Sequence, residues 1–484
     1  MQNLDERTDP ITDDDLNDPG LQAALGDLQG NILCSHGRER SVHIFLRFLD
    51  KEQGMRWIAE IAPHITPAQK QIEEAKAYNR GSGTPGEVFW SFFLSAHGYE
   101  VLGIPDQYRL TETAFGQGMP ARQSSVDAPS HQTAGTLLPL NDPPQATWDE
   151  GYRDPQRRID AMLLLADKDE RNLPWEDLAG QKLSPAQQVE ALRTWLGNFG
   201  IHAVPEVCAI EYGRVLRNAQ CKSIEHFGYV DVGSEPLFFQ KDVDEVQENE
   251  GIDRWNPGAG PDLVLVKEPN SLLYNQGKPT YGSYFVFRKL EQDVSRFDDY
   301  LRALQTGLGL QGHDRARAEA LVMGRFRDGT PVVLQRTPGT SDSLLNNFDF
   351  RNDPVGMRCP FQAHIRRMNP RGERDRGIRG AIAEAIRKLL PGKAQREYER
   401  IRRDPAAALR RLSVEEQGKE ERIILSDLAK ALERLSVDGQ REVDRIQNAV
   451  DGKYDERRHR IARRSMPYGK QGEPVVAGSP PACG

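Results

Sequence analysis

The sequence predicts an α+β protein built as two units of similar plan, with a long charged helical excursion late in the chain. Three observations carry this. Alternating runs rich in β-branched and aromatic residues recur in both halves. Each is followed, after a short connection, by a helical pattern with its own start and stop signals. At 484 residues the chain also exceeds what one hydrophobic core serves, because single cores stop growing at roughly 250–300 residues.

Taken in order, residues 1–26 are Asp-rich without periodicity and read as a flexible acidic arm. "SVHIFLRFL" (41–49) has the alternation of a strand, and "EVFWSFFLSA" (87–96) is a second. "HGYEVLGIP" then reads as a short helix stopped by Gly-Ile-Pro. "RIDAMLLLAD" (158–167) holds an unbroken apolar run from Ala161 to Ala166, as a buried strand would. "SPAQQVEALRTWLGNFG" (184–200) carries an N-cap Ser, a Pro in its first turn and a Gly at its end, so a well-capped helix is expected. The second half repeats the grammar. "GSYFVFRKLEQD" (282–293) reads as a strand, "VSRFDDYLRALQTGLG" as a helix, and "GRFRDGTPVVL" (324–334) as a turn entering another strand. Hairpin signals are as frequent as crossovers, which favours α+β units over one doubly wound sheet. From 372 to 458, Ala, Glu, Arg and Leu dominate with apolar residues three and four apart, so several amphipathic helices are expected. They read as a solvent-facing excursion, with a partner-binding arm as the other reading.

The net charge of −8 makes a generic nucleic-acid surface a poor default. No window is apolar over the length a bilayer requires, and the acidic N-terminus lacks an apolar segment, so neither membrane insertion nor export is expected and the cytoplasm is the predicted setting. Five cysteines at irregular spacing suggest neither a disulfide framework nor a zinc site, and reduced packing thiols are expected.

The chemistry concentrates in "FRNDPVGMRCPFQAHIRRMNPR" (350–371). A lone histidine is more often packed or superficial than a ligand. Here His364 sits just after a constrained Cys-Pro turn and among Arg366, Arg367 and Arg371. An imidazole that holds haem iron needs a fixed backbone, and the anionic propionates need planar cationic donors nearby.

With these residues on view, the chain resembles the dye-decolorizing peroxidases. The likeness is carried by "DLQGNIL" (27–33), "FFLSAHGYEVLGIP" (92–105), "FGQGM" (115–119), "EHFGYVDVGSEP" (225–236), "GSYFVFRKLEQDV" (282–294), "GRFRDGTPVVL", "NDPVGMRCPFQAHIRRMNPR" (352–371) and "HRIARRSMPYG" (459–469). The resemblance implies two ferredoxin-like domains of the dimeric α+β barrel type, at 27–240 and 241–484. The second would hold haem b (iron protoporphyrin IX) and carry the helical insertion. It implies reduction of hydrogen peroxide, oxidation of dyes or other aromatic donors, and His364 as the proximal iron ligand. Splitting bound peroxide requires a group that moves a proton between its oxygens and a cation that steadies the leaving charge. The resemblance gives these roles to Asp231 in "GYVDVGS" and Arg463 in "RIARRSMPYG", with Arg464 as the adjacent competitor. It places Gly233 and Arg371 beside the cofactor.

Two departures and one decoy stand out. Val232 occupies the place of the family's glycine after the distal Asp, where a positive φ would strain a β-branched side chain and misaim the carboxylate. The stretch after the Arg-bearing turn, "KQGEPVVAGSPPACG", is Gly- and Pro-rich where relatives have an apolar strand, and 99 positions separate His364 from Arg463 (463 − 364). Asp328-Gly329 is a decoy for the distal motif and fits a hairpin turn. Two functional readings therefore stand. One is a peroxidase; the other is a haem-binding or scaffold protein without turnover, which Val232 and the missing strand favour. Expected partners are peroxide and aromatic donors, with a homo-oligomer or protein partner engaged through the helical excursion.

Overall fold

Residues Arg40–Arg47 form the central strand β1, and the excess of β-branched and aromatic side chains there suits a pleated surface buried on both faces. The structure, a computed structural model, describes residues 3–78, 86–121, 124–126, 137–139, 142–178, 181–233, 235–307, 314–339, 345–353, 356, 358–369 and 371–372. It divides into two compact units. The first comprises Met1–Leu216, Val232–Glu291 and Ser341–Phe348; the second comprises Arg217–Asp231, Gln292–Thr340 and Asp349–Gly484. Residue 240, the boundary read from sequence, is not a division between them.

In the first unit β1 is followed by helix α1 (Lys51–Ile61), strand β2 (Phe89–Leu94), helix α2 (Ala96–Val101), strand β3 (Ala161–Asp167), helix α3 (Pro185–Gly197) and strand β4 (Glu206–Arg214). The sheet order is β2-β3-β1-β4 with every neighbour antiparallel. Two split β-α-β crossovers result, which is the ferredoxin-like arrangement. One face carries Ile44, Leu46, Leu163 and Leu165 against Trp57 and Ile61 of α1 and Leu192 and Leu196 of α3. The other carries Phe45 and Met162 with Cys208. Cover on both faces is why β3 is apolar without interruption. Helix α3 opens at the expected N-cap Ser184, which also forms a reciprocal capping box with Gln187.

The N-terminal stretch departs from the expected free arm. Leu4, Ile11, Leu21 and Leu25 are buried in a second cluster with Phe238, Phe239 and Tyr281. Asp18 caps the helix Pro19–Asp27 by accepting the Leu21 N–H at 2.8 Å. The average composition hid four apolar anchors.

The strand read at 282–293 also fails to form. Only Tyr281–Gly282 pairs, with Val266–Lys267. Beyond it Phe285 lies on Phe93 and Phe287 on Phe45, each with ring centroids 4.6 Å apart. The alternation is real and serves side-chain packing on the sheet face, while no neighbouring backbone supplies a ladder among the described residues.

In the second unit α4 (Val294–Gly307) packs against α5 (Asp314–Met323), with Leu301, Ala318 and Ala320 buried. The 324–334 segment makes a hairpin turn about Asp328 and Gly329, closed by the Phe326 N–H to the Thr330 carbonyl at 2.9 Å. Its strand amounts to one Arg325–Pro331 bridge. A five-residue helix, α6 (His364–Met368), ends the described part. The helices read at 372–458 lie outside the described residues, apart from Gly372. Among the described residues, no helix is long and apolar enough to cross a membrane. Cys34, Cys208 and Cys359 are free thiols.

Candidate functional site

The motif around His364 is a loop closed on itself. The Phe350 N–H donates to the Arg371 carbonyl at 3.0 Å and joins the two ends. Within the loop, Asp353 is 3% exposed and Arg366 is 1% exposed. The Arg366 guanidinium donates to the Asp353 carboxylate at 2.7 Å, to the Asp353 carbonyl at 2.7 Å and to the Cys359 carbonyl. The rings of Phe350 and Phe361 cover it, with centroids 4.6 and 4.5 Å from its Cζ. The same Asp353 carboxylate accepts the Arg358 N–H at 3.1 Å and the Cys359 N–H at 2.9 Å. Both charges are therefore desolvated together and multiply satisfied, the condition under which a buried pair is tolerated. Burial pushes the Cys359 thiol up to about 12, against the opposing pull of Arg366. It stays protonated and serves as packing.

This arrangement corrects one expectation. Arg366, read as a cationic donor for haem propionates, is committed to Asp353. Arg367 is exposed, and Arg371 is buried with its N–H donated to the Asn369 carbonyl at 2.8 Å. His364 begins α6 and is exposed, and among the described residues its imidazole makes no hydrogen bond. Among the described residues, no group of three His, Cys, Asp or Glu side chains could hold a bare metal ion.

Asp231 ends a tight turn in the same unit. The Glu225 carboxylate accepts the N–H groups of Phe227 at 2.7 Å and Tyr229 at 2.9 Å, and Gly228 adopts φ +88°. The left-handed residue is therefore Gly228, three places before the Asp. Val232 is not among the residues with positive φ, so the backbone strain expected there is absent. The Asp231 N–H donates to the Ser223 carbonyl at 2.9 Å and its carboxylate is exposed. Gly233, in the first unit, presents its carbonyl to the Asn346 side-chain amide.

The segments that carry Asp231 and His364 are both fastened to the 324–331 hairpin. The Val230 N–H donates to the Arg327 carbonyl at 2.9 Å, and the Arg327 guanidinium holds the Phe227 carbonyl at 2.8 Å and Glu319 at 2.8 Å. On the other side, Gly324 (φ +88°) meets Ile365 so closely that a Cβ there would lie 2.4 Å from Ile365 Cγ1. Arg463 lies outside the described residues. Sequence reasoning missed Asp353 and Arg327 as organisers. The available signals were the Asp of the Asn-Asp-Pro step, 13 positions from Arg366, and the second Arg of "GRFRDG".

No protein-family profile matches the chain. The multifunctional dye peroxidase DyP2 of Amycolatopsis sp. is 37% identical over 389 residues, covering 79% of this chain and 73% of that protein. The chain belongs to the dye-decolorizing peroxidase family. Dye-decolorizing peroxidase msp1 of Mycetinis scorodonius is 33% identical over 366 residues, or 72% of this chain and 61% of that one. Among solved structures, the DyP-type peroxidase of Anabaena sp. superposes with a TM-score of 0.59 at 37% identity, covering 72% of this chain and 68% of its own. In this dye-decolorizing peroxidase chain, the motif with the most specific likeness is the loop cross-tied by Asp353 and Arg366.

Proposed function

We propose that the chain reduces hydrogen peroxide at a haem b held by His364 in its C-terminal half and takes electrons from dyes or other aromatic donors. The observation that carries this reading is the state of His364: an exposed imidazole that hydrogen-bonds nothing among the described residues, at the head of a helix whose opposite side is anchored. A single protein donor suits a porphyrin, which brings four of its own, and would not hold a bare ion. The donor set fits a haem at His364. It does not fit at Arg366, so the propionates would fall to Arg367 or Arg371.

A bound haem supplies the iron on which peroxide is reduced. The Asp231 carboxylate would serve as the proton carrier for peroxide, accepting a proton from one oxygen and returning it to the other, which leaves as water. The Arg463 guanidinium steadies the negative charge that grows on that oxygen. His364 would hold the cofactor, with Arg371 of the same unit beside it. Val232 leaves the backbone beside Asp231 unstrained, which removes one argument for an inactive protein. The non-catalytic reading keeps one observation in its favour, since no described residue hydrogen-bonds the Asp231 carboxylate into a fixed direction.

The test is haem reconstitution of the parent, His364→Ala and His226→Ala. His364→Ala should lose the Soret band and His226→Ala should keep it. Equal occupancy in all three would remove His364 from the role.

A further inference from the structure

We infer that the buried Asp353–Arg366 pair is the device that aims His364 at the iron; this rests on His364 being the axial ligand, as proposed above. Helix α6 has five residues and no side-chain N-cap, too short to hold its own geometry. Successive residues on a helix turn by about 100°, so positions 364 and 366 point to opposite sides. Burying Arg366 therefore commits His364 to the open side. The guanidinium fork reaches two separate points of the loop at once, Asp353 and the Cys359 carbonyl, between the two phenylalanine rings. Asp353 in turn grips the Arg358 and Cys359 N–H groups just ahead of the Cys-Pro turn that leads into α6. One side-chain pair thus fixes both the chain entering the helix and the helix's rotation. Lysine, a point charge without a planar fork, could not bridge these points.

The experiment uses the full chain with haem supplied, in two backgrounds. One keeps His364; the other is His364→Gly with imidazole added, so that the ligand is no longer tethered to the helix. In the His364 background, Arg366→Lys should weaken haem binding by about ten- to a hundredfold and shift the ferric Soret band. In the imidazole-loaded background the same substitution should change neither. Equal losses in both backgrounds, or none in either, would overturn the inference, because a pair that merely stabilises the loop acts regardless of the tether. Phe361→Leu loosens the same fork without leaving a buried charge unpaired. It should give a smaller effect with the same dependence on background, and it decides the matter if Arg366→Lys does not fold. If His364→Gly without imidazole keeps the parent spectrum, the axial assignment itself fails, by a measurement separate from the pair.

Discussion

Gly324→Ala probes the joint between the hairpin and the His364 helix. Gly324 has φ +88°, and an added Cβ would lie 2.4 Å from Ile365 Cγ1 and 3.1 Å from Ile365 Cδ1. A left-handed conformation costs a residue with a Cβ about 1–2 kcal/mol. Overpacking adds about 1–3 kcal/mol, so the second unit should lose about 2–5 kcal/mol. The two parts separate in a double-mutant cycle: Ile365→Ala removes the clashing carbon and restores the packing part, while the backbone part stays. The coupling energy between the two substitutions should therefore be about 1–3 kcal/mol. All six tryptophans (57, 90, 148, 175, 195 and 255) lie in the first unit, so their emission does not report this loss. Native-state hydrogen exchange on peptides covering 320–334 and 359–369 does. Effects that add to within about 0.5 kcal/mol would show that Ile365 and Gly324 do not meet as described.

Three further outcomes are expected. Burial, helped by Arg38, lowers the His36 pKa to about 4 from 6.5, and its Nδ1 accepts the Arg38 N–H at 3.0 Å. The unfolded chain thus binds this proton first as pH falls, so stability present at pH 7 drops by at most about 2 kcal/mol by pH 5; in urea melts His36→Gln should show a flatter acid limb, and an identical one would refute the assignment. Asp160 is fully buried and accepts the Phe48 N–H at 2.7 Å as well as pairing with His97, so Asp160→Ala should cost the first unit about 3–5 kcal/mol, read by tryptophan emission. Asp231→Asn should leave haem affinity unchanged and slow peroxide cleavage by about a hundredfold or more in stopped-flow traces; an undiminished rate would remove Asp231 from the distal role.

Local signals carried most of the first unit. The Ser-Pro start of α3, the unbroken apolar run of β3 and the alternation of β1 each encode their own structure, because caps and burial patterns are decided within a few residues. The 283–293 segment shows where that logic stops. Alternation tells which side chains share a face, and Phe285 and Phe287 do share one, but a strand also needs a neighbour's backbone. Leu4, Ile11, Leu21 and Leu25 illustrate a second limit, since four anchors spaced irregularly among aspartates leave no periodic trace. In the site, His364 stood out by its company, yet the meaning of that company depended on a distant residue. Arg366 reads as a ligand for an anion until Asp353, thirteen positions earlier, is seen to occupy it. Val232 erred in the other direction: a strain inferred from a missing glycine disappears because the turn places its positive φ at Gly228.

The most direct measurement is the optical spectrum of the haem-supplied chain before and after one equivalent of hydrogen peroxide, followed by addition of a reducing dye. The expected result is a Soret band that depends on His364, changes on adding peroxide, and returns as the dye is bleached. A His364-dependent band that peroxide leaves untouched, with the dye unbleached, would contradict the peroxidase reading and leave a haem-binding protein without turnover.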